Sequence, residues 1–150
     1  MPTWGEFAAA AQPLGAKARE RLHGRVAYLG TVRADGSPRV HPVTPIVGVD
    51  ELFVFMEPTS PKGHDLRRDP RYQLHVGVED TNGGGGELYV RGSAQFVEDA
   101  ATRDRAVAAC TYRPAERYIL FVLGVDEAML TTYAEAGPVR DRWPSAKAKT

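Results

Sequence analysis

Apolar residues recur every four positions near the start of the chain, and the pattern then changes to the alternation of strands. Leu14, Ala18 and Leu22 form one apolar stripe, which predicts a helix that ends near Gly24. A shorter helix is predicted over residues 4–11, because a Thr-x-x-Glu capping box opens it. Both helices precede the first segment with strand character.

Six later segments are rich in β-branched and aromatic residues and are bounded by turn residues, as is typical of strands. They are residues 26–32, 38–49, 52–56, 72–79, 87–97 and 118–133, the last long enough for one bent strand or two. Short helices are predicted over residues 60–70 and 100–110, and the tail from Ala134 is polar. Short hairpins with marginal helices predict a mainly β (α+β) fold, a six-stranded antiparallel barrel that is closed or nearly closed.

Length and composition indicate a single globular domain over residues 1–150, with 43% hydrophobic and 25% charged residues. Nineteen basic and nineteen acidic residues cancel, which argues against a generic nucleic-acid binder. No apolar run is long enough for a membrane helix. The N-terminus lacks the pattern of a secretory signal, and Cys110 is the single cysteine, so we expect a cytoplasmic protein without internal disulfides.

The predicted helix that begins at Ser60 has the features of a phosphate site. Leu66 is its one strongly apolar residue, so the helix contributes little to a core. Unpaired N–H groups at a helix start carry partial positive charge. Ser60 adds a hydroxyl and Lys62 an ammonium, with Pro61 at the first helical position, which together favour binding of an anion. An ordinary capped helix with a surface lysine is the alternative interpretation.

Arg39 is a second candidate ligand for the same anion. It lies on the strand predicted over residues 38–49, which would bring it to the end of residues 52–56 if consecutive strands pair. A planar guanidinium binds phosphate through two parallel hydrogen bonds. His41 shares that strand face and is a pocket candidate. A solvated arginine and a buried, hydrogen-bonded histidine are the alternatives.

The sequence offers little support for other chemistries. The scattered histidines do not have the spacing of zinc ligands, so no metal site is predicted. The glycine run at residues 83–86 precedes a strand and lacks the Gly-Lys-Ser/Thr ending of a phosphate loop, so it is predicted to be a hairpin tip. No nucleophile elbow is present, and no residue is assigned a catalytic role.

Three segments together resemble the pyridoxamine 5′-phosphate oxidase-like family of flavin-binding split β-barrels. They read RADGSPRVHPV at residues 33–43, FVFM at residues 53–56 and SPKGHDLRRDPR at residues 60–71. The resemblance extends over about residues 26–97, and the spacing from Arg39 to the Ser-x-Lys segment is fairly specific. It implies a split barrel that forms a homodimer with two cofactor sites at the subunit interface.

The resemblance also implies a set of FMN-binding residues. It places the cofactor phosphate on Arg39 and the Ser-x-Lys segment, and the isoalloxazine ring along residues 40–43. Glu87 stands at the position of a glutamine near the ring, and Trp143 at that of a C-terminal tryptophan. The predicted cofactor-binding residues are Arg39, Val40, His41, Pro42, Val43, Phe55, Met56, Ser60, Pro61, Lys62, Glu87 and Trp143.

Two departures from the family's pattern bear on the substrate. Thr44 stands where true pyridoxamine phosphate oxidases have a lysine for the substrate phosphate. Their C-terminal substrate segment, rich in Arg, Ser and Gly, has no counterpart here. We therefore expect a flavin-dependent oxidoreductase that acts on another, unidentified small molecule. Arg91 matches an arginine in the family's fifth strand.

FMN is the expected cofactor, and two alternatives remain open. Fifteen arginines against four lysines hint at a GC-rich genome, and similar barrels from actinobacteria-like genomes use the deazaflavin coenzyme F-420. The longer anionic tail of that coenzyme needs further cations, for which Lys17, Arg19 and Arg25 are candidates. The second alternative is a non-catalytic protein that binds flavin or haem.

Overall fold

The computed structural model describes residues 1–145, and that part of the chain contains four helices and nine strands. The helices are α1 (Trp4–Ala10), α2 (Leu14–Leu22), α3 (Pro61–Arg68) and α4 (Ala100–Ala109). The strands are β1 (Ala27–Val32), β2 (Pro38–Val43), β3 (Ile46–Val47), β4 (Leu52–Met56), β5 (Arg71–Val76), β6 (Glu87–Val97), β7 (Ile119–Leu123), β8 (Glu127–Ala134) and β9 (Gly137–Trp143). The predicted mainly β fold is confirmed.

The strands form one curled antiparallel sheet, as expected for a split barrel. Its path runs β2-β1-β5-β6-β7-β4-β3, while β8 pairs with β6 and β9 with β8. The long strand β6 joins two halves, because its first residues pair with β8 and its last residues with β7. Gly92 lies between these halves, where a Cβ would overlap the carbonyl oxygen of Gly124. The absence of a side chain at Gly92 therefore lets the segment between β7 and β8 approach β6 closely.

Residues 1–145 form nine strands where the sequence predicted six. The predicted strand over residues 38–49 is interrupted after Val43, because Pro45 has no N–H to donate to a ladder. Residues 118–133 form two strands, one of the two predicted alternatives. The polar tail pairs as β9 through the turn at Gly137. Ladder hydrogen bonds use backbone groups, so exposed polar side chains do not prevent this pairing.

The strand pairing corrects the predicted route of Arg39. Strand β2 pairs with β1, and it is β3 that pairs with β4, through Ile46 and Phe53. The expectation that Arg39 reaches the end of β4 along a paired strand is therefore wrong. Arg39 instead approaches α3 directly, as described below.

Helix α3 packs across the sheet close to the end of β4. Its residue Leu66 is buried, and the guanidinium of its Arg67 lies 3.9 Å from the centroid of the Phe96 ring. Gly63 faces Met56, where a Cβ would lie only 3.0 Å from the methionine sulfur. This close approach brings the start of α3 to the end of β4. None of the described helices is long and apolar enough to cross a bilayer.

Candidate functional site

The side chains at the start of α3 form a hydrogen-bonded pair. Ser60 occupies the N-cap position and is buried, but its hydroxyl does not cap a helix N–H. The hydroxyl oxygen instead accepts a hydrogen bond from the ammonium of Lys62 at 2.9 Å. Because that oxygen acts as the acceptor, the hydroxyl proton is left to donate to a ligand.

The backbone at this helix start offers less than the sequence suggested. The N–H groups of Gly63 and His64 donate to the carbonyl oxygen of Ser60, at 3.0 and 3.2 Å. Pro61 has no N–H, so within residues 1–145 the N–H of Lys62 is left without an acceptor. The hydroxyl and the ammonium therefore carry most of the capacity to bind an anion.

The ammonium of Lys62 is half-buried and has no counter-ion among residues 1–145. Burial lowers its pKa, because removal from water disfavours the charged form. Glu57 lines the same groove but forms a two-pronged ion pair with Arg117, at 2.5 and 2.9 Å. A partly buried cation without a counter-ion costs free energy, and binding of an anion offsets that cost.

Arg39 lies beside the same helix, held by a buried carboxylate. Its Nε donates to Oδ2 of Asp65 at 2.7 Å, and Thr31 donates to the same oxygen at 2.8 Å. Arg68 donates to Oδ1 of Asp65 at 3.3 Å. Burial acts to raise the pKa of Asp65, but the hydrogen bonds from these three residues outweigh it and lower the pKa. Asp65 therefore stays ionised at neutral pH.

A groove of about 340 Å³ extends from Lys62 between the end of β2 and the end of β4. Five of the predicted cofactor-binding residues line it: Pro42, Val43, Phe55, Met56 and Lys62. Thr44, the position where the family has its substrate lysine, lies in the same wall. The structure thus places the Lys62 ammonium in a groove that has both polar and apolar walls.

Two tyrosines that the sequence reading missed complete this groove. Tyr112 and Tyr118 come from the segment between α4 and β7, about 50 residues beyond Lys62 in sequence. Pairing of Met56 with Ile119 brings them to the groove. Burial, the main cause, raises the pKa of Tyr112 to about 12, so it is a neutral hydrogen-bond donor. No local pattern marks these residues, because their position depends on the pairing of β4 with β7.

Arg39 lines a different groove on the other side of the first turn of α3. This second groove has a volume of about 470 Å³ and lies between α3 and the β1–β2 turn. Its cationic residues are Arg33, Arg39 and Arg68, with Pro61 and His64 along the helix. Arg39 and Lys62 therefore flank the start of α3 rather than line one cavity.

Strand β2 divides the remaining predicted residues between two faces. His41 is partly buried on the face that carries Arg39, as expected from alternation. Val40 lies on the opposite face and is 65% exposed. There it lines a shallow groove with Tyr28 and His75, on the outer surface of the sheet. A ring that lies along β2 would therefore contact Arg39 and His41 on one face of the strand, or Val40 on the other face.

Glu87 and Trp143 lie outside both grooves at α3. Glu87 is on the outer face of β6, where it pairs with His75 at 3.3 Å and accepts a hydrogen bond from Tyr133 at 3.1 Å. Trp143 lies on the inner side of β9 and packs against Phe7. Their assignment to the cofactor stays a prediction.

A buried carboxylate on the outer face organises a cluster that the sequence did not reveal. Glu127 accepts hydrogen bonds from Tyr89, Arg91 and Arg142, at 2.6, 2.5 and 2.5 Å. Burial acts to raise its pKa, but these three donors lower it below the ordinary value. Arg91 is thus held by Glu127, in a cluster contributed by β6, β8 and β9.

Comparison with known protein families identifies the family of the chain. A family model described as pyridoxamine 5′-phosphate oxidase matches residues 14–132, which is most of the chain. The chain belongs to the pyridoxamine 5′-phosphate oxidase family. The matched region includes α3, β2 and the groove that joins them.

Solved structures of low sequence identity share the family's fold. A conserved hypothetical protein from Mycobacterium tuberculosis is 19% identical, with a TM-score of 0.63 over 75% of this chain and 81% of that one. The haem storage protein HutZ from Vibrio cholerae is 18% identical, with a TM-score of 0.55 over 75% and 90%. An F-420 reductase is 21% identical, with a TM-score of 0.56 over 73% and 94%. A search of curated proteins gave no significant match.

Proposed function

We propose that this chain is a flavin-dependent oxidoreductase that binds FMN at the start of α3. The proposal rests on the half-buried ammonium of Lys62, which has no counter-ion in the described residues and donates to the Ser60 hydroxyl. A phosphate group at this point supplies the missing negative charge. It also accepts hydrogen bonds from the hydroxyl and from the N–H of Lys62.

The groove beside Lys62 is the proposed place for the ring of the cofactor. Val43, Phe55 and Met56 line it with apolar side chains, while Tyr112 offers a neutral hydroxyl. Bound flavin supplies the hydride-transfer chemistry, and the protein binds the cofactor, orients it and excludes water. This division explains why the chain needs no catalytic nucleophile or base of its own.

The proposed active form is a homodimer in which a second copy completes each site. Glu87 lies outside the α3 grooves of its own chain, on the outer sheet face, which also exposes Tyr28 at 49% and Val40 at 65%. A partner on this face covers that apolar surface. We expect a dimeric mass by light scattering of the FMN-loaded protein at micromolar concentration, and a monomer would contradict the proposal.

The deazaflavin coenzyme F-420 is the second candidate cofactor. The fold is shared with an F-420 reductase, and the Arg39 groove holds cations beyond those that one phosphate needs. These further cations are Arg33 and Arg68. Arg19, which the sequence suggested, lies in a separate cavity, where it donates to the carbonyl oxygen of Gly48. A non-catalytic flavin or haem binder is a third candidate, supported by the shared fold with a haem storage protein.

Ligand titration of the purified protein tests the phosphate site. We expect Lys62→Ala to weaken FMN more than about tenfold, the effect of losing a charge-assisted hydrogen bond, while riboflavin affinity changes little. Lys17→Ala, on the exposed face of α2, is the matched control and leaves FMN affinity unchanged. Equal FMN binding by wild type and Lys62→Ala would overturn the phosphate assignment.

The mass and visible absorbance of the co-purified ligand distinguish the cofactors. FMN, F-420 and haem differ in both properties. A flavin that is reduced and reoxidised with turnover supports an enzyme, whereas bound cofactor without turnover for any reductant supports the storage alternative. A cytoplasmic location stays a prediction.

A further inference from the structure

Arg39 lies on β2, an edge strand of the described sheet. Within residues 1–145, β2 has β1 as its ladder partner. The side chain is nevertheless only 21% exposed, because Nε donates to Asp65 on α3. The terminal nitrogens of Arg39 have no protein acceptor in the described part of the chain. The contact thus fixes the guanidinium by its inner nitrogen and leaves its outer edge available.

The nitrogen through which Arg39 bonds to Asp65 decides whether the guanidinium can also bind an anion. A carboxylate that gripped both terminal nitrogens would occupy the edge that binds phosphate in a two-pronged manner. Asp65 avoids this arrangement by accepting from Nε. A carboxylate at this point therefore orients the arginine without taking the place of an anionic ligand.

Asp65 is itself held rigidly. Its side chain is 4% exposed, and hydrogen bonds from Thr31 and Arg68 fix both carboxylate oxygens in addition to the bond from Arg39. Asp65 lies one turn after Lys62 on the same helix. One rigid element therefore carries Lys62 and also orients Arg39.

We infer that Asp65 is a positioning residue, which holds the guanidinium of Arg39 beside the first turn of α3, in the groove next to the Lys62 groove, so that its terminal nitrogens are available to an anion bound at that turn. This inference rests on the proposed function. It differs from a purely structural ion pair, which would affect folding but would not distinguish a ligand with a phosphate from one without it.

A double-mutant cycle with two ligands tests the inference. Dissociation constants for FMN and riboflavin are measured for wild type, Asp65→Asn, Arg39→Ala and the double variant. We expect Asp65→Asn to weaken FMN about five- to twentyfold and riboflavin less than about twofold. In the Arg39→Ala background, the same substitution has no further effect on FMN.

Two further variants supply a substitute for Asp65→Asn and a control. Thr31→Val removes the hydroxyl hydrogen bond that Thr31 donates to Asp65. It is expected to weaken FMN binding in the same direction, and it replaces Asp65→Asn in the test if that variant fails to fold. Asp69→Asn is the matched control, because Asp69 lies at the end of α3 and pairs with Arg71 away from the groove. It is expected to leave FMN affinity unchanged.

The outcomes separate this inference from the proposed function. If wild type binds neither FMN nor F-420, the proposed function and the positioning role of Asp65 are both wrong. If Arg39→Ala weakens FMN binding but Asp65→Asn does not, only the positioning role is wrong. Equal losses for FMN and riboflavin, or an equal loss in both Arg39 backgrounds, would show that Asp65 is merely structural.

Discussion

The indole of Trp143 packs against the ring of Phe7, with centroids 5.2 Å apart and ring planes inclined at 56°. Phe7 in turn meets Trp4 in an edge-to-face contact at 5.2 Å. The last strand of the sheet is therefore joined to the first helix through three aromatic rings. Offset and edge-to-face contacts of this kind add to the stabilisation from burial.

We expect Trp143→Ala to lower the free energy of unfolding by about 2–4 kcal/mol, because it leaves a cavity beside Phe7. Denaturant unfolding of the apoprotein measures this effect. Val139→Ala, on the same strand but 60% exposed, is the control and changes stability little. Equal stability of Trp143→Ala and wild type would mean that β9 does not contribute to the core.

The lowered pKa of Lys62 predicts a pH limit for FMN binding. A bound phosphate favours the ammonium, so affinity is full below the pKa of the free protein and falls as pH rises through it. Because that pKa lies below the ordinary 10.5, the decline begins at a lower pH than an exposed lysine would give.

Titration of FMN affinity from about pH 7 upward tests this limit. Riboflavin is the control for titration of the ring itself. Lys62→Arg removes the decline, since a guanidinium stays protonated over this range. An FMN-to-riboflavin affinity ratio that is constant with pH in wild type would contradict the assignment.

The lowered pKa of Glu127 predicts that this residue contributes to the loss of stability at acidic pH. Its pKa is lowered in the folded state by Tyr89, Arg91 and Arg142, against the opposing effect of burial. Its contribution to stability is therefore present above the unfolded value of 4.5 and is lost as pH falls through the lower folded value. We expect Glu127→Gln to cost about 1–3 kcal/mol at neutral pH.

Urea unfolding of Glu127→Gln and wild type between about pH 3 and 7 measures that contribution. The difference in stability between the two proteins should shrink toward the acid end of the range. Glu135→Gln, at the exposed turn before β9, serves as the comparison and is expected to match wild type throughout. A difference that stays constant with pH would exclude the ionised Glu127 as the cause.

Pyridoxamine 5′-phosphate is expected to be a poor substrate. Thr44 lines the groove beside Lys62, and its neutral hydroxyl does not give the charge-assisted bond of a lysine. The loss is roughly tenfold to a hundredfold in affinity. A steady-state assay of the FMN-loaded protein with pyridoxine and pyridoxamine phosphates measures this, and Thr44→Lys should improve KM. Turnover of about 1 per second with micromolar KM would show that another residue replaces the lysine.

Local interactions explain what the sequence alone predicted well. Helices α1 to α4 begin and end within a few residues of their predicted bounds, because capping, proline at the first turn and apolar spacing act within one or two turns. The start of α3 as a candidate place for an anion was recognisable for the same reason. Ser60, Pro61 and Lys62 are consecutive, and their chemistry needs no distant partner to be noticed.

Tertiary structure decided which distant residues join that helix. Pairing of β4 with β7 brings Tyr112 to the Lys62 groove, and the path of β2 past α3 lets Asp65 hold Arg39. These contacts depend on strand register and on which apolar faces are buried together. Both are properties of the whole sheet, so no window of the sequence contains them. The sequence determined the chemistry available at the start of α3, and the fold determined its surroundings.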